Sequence, residues 1–119
     1  MPCDLSVDAA GRLILVHLSG AVTDRDIVAA LEEILNIRGE QQIDRILCDQ
    51  RAMESAPDTL GVLDAARTFS LGPFRGMRLA ILRAAMPEGP HFFETACRNR
   101  MADVRVFDDE EEAREWLGP

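Results

Sequence analysis

Ile46-Leu47-Cys48-Asp49 is the stretch on which the fold of this chain turns. Three apolar residues in succession leave no polar face, and the acid then ends the run. A strand of that kind is buried on both sides, as parallel strands covered by helices are. Leu79-Ala80-Ile81-Leu82, enclosed by Arg78 and Arg83, repeats the pattern. Two such runs separated by helical periodicity predict strands joined by right-handed helical crossovers.

Upstream, Leu5-Ser6-Val7 and Leu13 to Leu18 flank the glycine-containing turn Asp8-Ala9-Ala10-Gly11-Arg12, which predicts a β-hairpin. Ile14, Val16 and Leu18 share one face of the second strand and Leu13, Leu15 and His17 the other, so both faces are expected to be covered. Thr23 and Asp26 form a capping-box variant for a first helix, with Ile27, Leu31, Ile34 and Leu35 on its inner stripe and Gly39 at its end. Downstream of Asp49, a second helix is expected from about Pro57 to Leu71, stopped by Gly72-Pro73. Pro90 opens a third, with a stripe of Phe93, Ala96, Cys97 and Arg100 or Met101. Val104 to Phe107 reads as the last strand. Asp108, with Glu111 three residues on, caps a final helix in which Ala113, Trp116 and Leu117 point inward and Gly118 ends the run. The expected architecture is a single α/β domain over residues 1–119. It has a mixed, mostly parallel five-stranded sheet with four helices in the order β-β-α-β-α-β-α-β-α.

Composition limits what such a domain does. The 119 residues are 47% hydrophobic and 29% charged, the balance of a soluble globular chain. Acids outnumber bases 21 to 13, and every base is Arg. Chemistry through a lysine amine is therefore excluded, and an acidic chain without a basic stripe argues against a nucleic-acid partner. No window is long and apolar enough for a membrane span, and the N-terminus lacks the pattern of a signal peptide. Cys3, Cys48 and Cys97 fit neither a CxxC pair nor a disulfide framework, so reduced thiols and a cytoplasmic location are expected.

The region from Ile46 to Leu63 resembles the STAS family, the domain type of anti-sigma-factor antagonists. In that family an apolar strand ends in Asp, a loop follows, and an Asp-Ser-Ser-Gly-Leu-Gly-like segment begins the second helix. Ile46-Leu47-Cys48-Asp49 matches the strand, and Asp58-Thr59-Leu60-Gly61-Val62-Leu63 is similar to the helix start with one residue fewer. The ending, Arg105-Val106-Phe107 through Glu112-Ala113-Arg114-Glu115-Trp116-Leu117, is similar to the divergent branch called SpoIIAA-like or STAS/SEC14-like. The resemblance implies a regulatory module, a phosphorylatable hydroxyl at the front of the second helix, and kinase-type partner proteins. Thr59 is the best-matching hydroxyl and Ser55 the second. A phosphate there would sit in the positive field of a helix N-terminus and change the charge of a recognition surface. The plainer role, in which Ser55 or Asp58 caps the helix, stands beside it.

Other candidates carry less chemistry. Cys48 lies within an apolar strand and Cys97 on an apolar helix face, so both read as inert buried thiols. Neither His17 nor His91 has a second ligand at metal spacing, and no GxSxG accompanies a Ser55, His91 and Asp49 grouping. Gly72-Pro73-Phe74-Arg75-Gly76 lacks the Lys and Ser/Thr of a phosphate loop and reads as a turn, whose Arg75, with Arg78, could meet an anion. The adjacent Phe92 and Phe93 cannot both be buried from one helix. With Phe74 and Met77 they could line a contact for an apolar or lipid ligand, or for a second copy of the chain. The leading expectation is a non-catalytic protein-interaction module needing no cofactor and no metal. It would bind its partner through Asp49, Arg51, Met53, Asp58 and Thr59, on the loop after the third strand and the start of the second helix.

Overall fold

The structure, a computed structural model, describes residues 3–8, 10, 12–55, 67–68, 72–83 and 103–118. The elements are β1 (Cys3–Asp8), β2 (Leu13–Ala21), α1 (Asp24–Gln41), β3 (Arg45–Ser55), a 3-10 turn (Gly72–Phe74), β4 (Arg78–Leu82), β5 (Asp103–Phe107) and α2 (Glu110–Leu117). The sheet order is β1-β2-β3-β4-β5. β1 runs antiparallel to β2, and the β2–β3, β3–β4 and β4–β5 pairings are parallel. The sheet is thus mixed, because a short turn can only return the chain antiparallel whereas each later strand comes back from a crossover.

Among the described residues there are two α-helices rather than the expected four. Of the span expected to form the second helix, Arg67 and Thr68 are described and are helical. The rest of that span before Gly72, and the third helix expected from Pro90, lie outside the described residues.

The sheet is coated on both faces. Ile14, Val16, Leu18, Ile46, Cys48, Leu79, Ile81 and Val104 form the larger core with Ile34 and Ile37 of α1. The opposite face holds Leu13, Leu47, Ala80 and Leu82 against Ala113 and Leu117 of α2. Alternation along each strand deals its apolar residues to both cores, which is why the central strands read as unbroken apolar runs. His17 departs from the expectation of a fully covered second strand: it is exposed and Leu15 is only half-buried. The short α2 lies over β3, β4 and β5, away from that corner.

The helix starts and stops show which local signals prevailed. Thr23 and Asp26 form the reciprocal capping box, with the Thr23 amide donating to Asp26 Oδ2 at 2.9 Å and the Asp26 amide to Thr23 Oγ1 at 3.3 Å. α1 does not stop at Gly39. It continues to Gln41 and ends where Gln42 turns left-handed at φ 56°, its amide donating to Arg38 O. Arg12 donates to the Gln42 carbonyl at 3.2 Å, so a side chain from the hairpin satisfies the helix end. α2 begins at Glu110 with Asp109, not Asp108, in the cap position, and no side-chain cap bond is formed. Three acids in its first turn complement the positive helix end instead. Gly118 does end α2, at φ 89°, where a glycine needs no Cβ clearance.

Candidate functional site

β3 is longer than its apolar run. Its pairing with β4 ends at Asp49↔Leu82, yet it continues beside β2 through Ser19↔Ala52, Gly20↔Met53 and Ala21↔Ser55. The expectation of a loop directly after Asp49 is corrected accordingly: Arg51 and Met53 are strand residues. The sequence Asp-Gln-Arg-Ala-Met-Glu-Ser lacks a periodic apolar signal. Pairing with the extension of β2 is what keeps it extended. Register shifts lie between His17 and Ser19 and between Gly20 and Ala21, so β3 carries extra residues there. A bulge of this kind re-aims side chains, and it leaves Met53 half-buried on the larger core while Arg51, Ala52 and Glu54 are exposed.

Asp49 and Arg51 meet each other before they meet anything else. Arg51 Nε donates to Asp49 Oδ1 at 3.0 Å and Nη2 to Oδ2 at 2.9 Å, a bidentate pair reinforced by the Arg51 amide to Oδ1 at 3.0 Å. Arg51 Nη2 also reaches Glu110 Oε1 at 3.3 Å. Glu110 Oε2 accepts from Arg114 Nε at 3.0 Å, one turn along α2, and Arg114 Nη1 lies 3.4 Å from Asp8 Oδ2 at the end of β1. A chain of alternating charges thus runs Asp49–Arg51–Glu110–Arg114–Asp8 and ties β3, α2 and the hairpin together. The hydrogen bonds from Arg51 hold the Asp49 carboxyl below its ordinary value, against the opposing effect of partial burial. The sequence signals for this chain were the Asp-x-Arg spacing of 49 and 51 and the four-residue spacing of Glu110 and Arg114. Neither shows from sequence that the two pairs join.

At the opposite end of the parallel strands, where β3 and β4 begin, arginines hold the far end of α2. Arg45 donates to the Gly118 carbonyl, and Arg78 donates to Trp116 O at 2.8 Å and to Asp103 Oδ2 at 3.0 Å. The Arg78 guanidinium lies 5.0 Å from the centroid of the Trp116 ring, which itself contacts Phe107 at 5.8 Å. Arg78 is thereby engaged within the fold, rather than poised for an anion as its sequence context had hinted.

The remaining candidates are placed as follows. Burial pushes the Cys48 thiol up to about 12, the signature of an unreactive cysteine. Phe74 and Met77, expected to meet a ligand or a second copy, are instead 4% and 2% exposed within the larger core. The tight turn Gly72–Gly76 drives both inward, where each fills core volume. Asp58, Thr59, His91, Phe92, Phe93 and Cys97 lie outside the described residues, as does the Ser55 side chain. Among the described residues no group of three His, Cys, Asp or Glu side chains could hold a metal ion, and no helix is long and apolar enough to cross a membrane.

Among the described residues, a leading hairpin, five strands in sequential order and a helix on each face define a small α/β domain of the STAS type. The chain belongs to the SpoIIAA-like family, whose profile matches residues 13–118. Among solved structures it is similar to the anti-sigma factor antagonist SpoIIAA in its unphosphorylated form, at 13% identity and a TM-score of 0.65, over 98% of this chain and 99% of that one. It is similar also to an anti-sigma factor antagonist from Mycobacterium paratuberculosis, at 15% identity and a TM-score of 0.61, over 98% and 95% of the two chains. A third is an uncharacterized protein with a SpoIIAA-like fold from Shewanella loihica PV-4, at 15% identity and a TM-score of 0.61, over 97% and 91%. No curated protein matches the chain in sequence.

Proposed function

We propose that this protein is a non-catalytic regulatory module that binds a protein partner through the surface where β3 leaves the sheet. The observation that carries the proposal is the continuation of β3 beyond its last pairing with β4, which sets Arg51, Ala52 and Glu54 in solvent. That position, at the carboxyl ends of parallel strands, is where open α/β sheets commonly bind. The segment then leads directly to Asp58 and Thr59, whose hydroxyl, with Ser55 as second choice, is the proposed phosphate acceptor. Asp49 serves this surface by fixing Arg51, and a chain of charge pairs suits a recognition surface better than a reacting centre. Structural likeness to anti-sigma factor antagonists supports a partner of the kinase-type regulator class.

Titration calorimetry against the kinase-type regulators of the same organism tests the reading. Ala52→Arg, an exposed position, should weaken the complex at least tenfold without lowering thermal stability. Binding that is indifferent to both Ala52→Arg and Glu54→Arg would place the interface elsewhere. Phosphate incorporation that persists in the Thr59→Ala, Ser55→Ala double variant would remove the proposed acceptors.

A further inference from the structure

β1 ends the sheet, and among the described residues nothing pairs with its outer edge. Its six residues pair with β2 without a register shift, from Cys3↔Leu18 to Asp8↔Leu13. Edge strands are commonly protected by a bulge, a proline or charged side chains; Cys3–Asp8 has no bulge or proline, and its charges are the two acids Asp4 and Asp8. Cys3, Leu5 and Val7 point to the larger core but are only half-buried, so their outer flanks are unfinished. The other face carries Asp4 and Ser6, both exposed, and Asp8, which is engaged by Arg114. Burial raises the Cys3 thiol, and the negative charges of Asp26 and Asp4 add to the effect.

We infer that the β1 edge accepts an extended segment of a second protein as a sixth strand, and that this segment alternates apolar and basic residues. Backbone pairing along six residues would supply affinity, and alternation would supply the match. Apolar side chains of the added strand would lie beside Cys3, Leu5 and Val7, completing their burial. Arg or Lys on the opposite face would lie beside Asp4, where an opposite-charge cross-strand pair is favourable. A second copy of this chain fits the edge poorly. In antiparallel self-pairing that keeps the apolar faces together, the register centred on Ser6 sets Asp4 directly across from Asp8 of the other copy. The register centred on Leu5 avoids that clash but still joins two strands that each carry two acids and no base, from chains of net charge −8. Like charges across strands are destabilising, so the edge selects a basic partner and discourages self-association.

The probe is an end-blocked hexapeptide, Val-Arg-Val-Arg-Val-Arg, added to nitrogen-labelled full-length protein. Binding should slow hydrogen exchange of the outward-facing β1 amides at least tenfold and leave exchange in β4 and β5 unchanged. A peptide of the same charge with alternate backbone nitrogens methylated cannot pair along the edge and should give no protection. Asp4→Arg, at an exposed position, should weaken the hexapeptide about fivefold, and the remaining binding should be less salt-dependent. The proposal is overturned if the methylated peptide protects equally, or if the perturbed amides lie outside β1. It is overturned also if sedimentation of the protein alone shows a dimer whose formation slows β1 exchange.

Discussion

The two faces of the sheet are held by different physics. The α1 face is a broad apolar core in which Ile14 and Ile46 are fully buried, and α1 enters it through a reciprocal capping box. Among the described residues, the α2 face has a much smaller apolar cluster. Its eight-residue helix is too short to be stable alone, and arginines secure it at both ends. Arg51 meets Glu110 at the start of α2, while Arg45 and Arg78 take its final carbonyls. Among the described residues, the first face rests more on the removal of apolar area from water and the second more on directional polar contacts. Mutation, salt and acid should separate them.

The largest effect is expected in the broad core. Ile46→Ala removes a fully buried side chain and should cost about 3 kcal/mol in denaturant unfolding, with little dependence on salt. A cost below about 1 kcal/mol would mean that this core repacks freely and would break the contrast. Arg78→Ala removes a carbonyl partner, an ion pair and a cation–π contact together, and should cost roughly 1–2 kcal/mol. Its signature should be local. The protein has a single tryptophan, so Trp116 fluorescence should begin to change at lower denaturant than the circular dichroism of the whole fold. Coincident transitions would show that α2 is not held separately. Lys at position 78 should restore little of the loss, because an ammonium cannot stack flat on the indole while bonding Asp103.

The capping box at Thr23 and Asp26 is a local motif whose partners are three residues apart, and it was read correctly. Thr23→Ala should cost about 1 kcal/mol in thermal unfolding, since the Asp26 amide then loses its acceptor. The buried strands around Ile46 and Ala80 were legible for a similar reason, because burial on two faces forces an unbroken apolar run. The end of β3 was not legible. Arg51 to Ser55 have no strand periodicity of their own and are extended because β2 continues alongside them. Gly39 misled for the converse reason: a glycine permits a helix to end without requiring it, and the carbonyls were satisfied further on by Arg12. The sequence offers Phe74 and Met77 as lining for an apolar ligand or a second copy, and the turn before β4 directs both into the larger core.

The smallest effect belongs to the charge chain. Because Arg51 holds the Asp49 carboxyl below its ordinary value, their interaction stabilises the fold above the usual unfolded carboxylate value of about 4. It is lost as pH falls through the lowered folded value. The stability gap between wild type and Arg51→Ala should therefore be present at pH 6, shrink in strong acid, and narrow in 1 M salt. The Ile46→Ala gap should do neither. A pH-independent Arg51 gap would mean that the side chain contributes packing rather than charge.

Read alone, the residues determined the succession of the described strands along the chain, the hairpin, the first helix and its cap, and the burial of Cys48. Each of these follows from neighbours close in the chain or from apolar residues that must leave water. Only the tertiary structure decided that Arg51 meets Glu110 across 59 positions, that Arg78 clasps the end of α2, and that β3 outruns β4. The first two outcomes depend on which groups the folded sheet brings within reach of an arginine, and the third on β2 continuing alongside β3. A long, flexible guanidinium carries no preference for its partner until the backbone has placed one within reach.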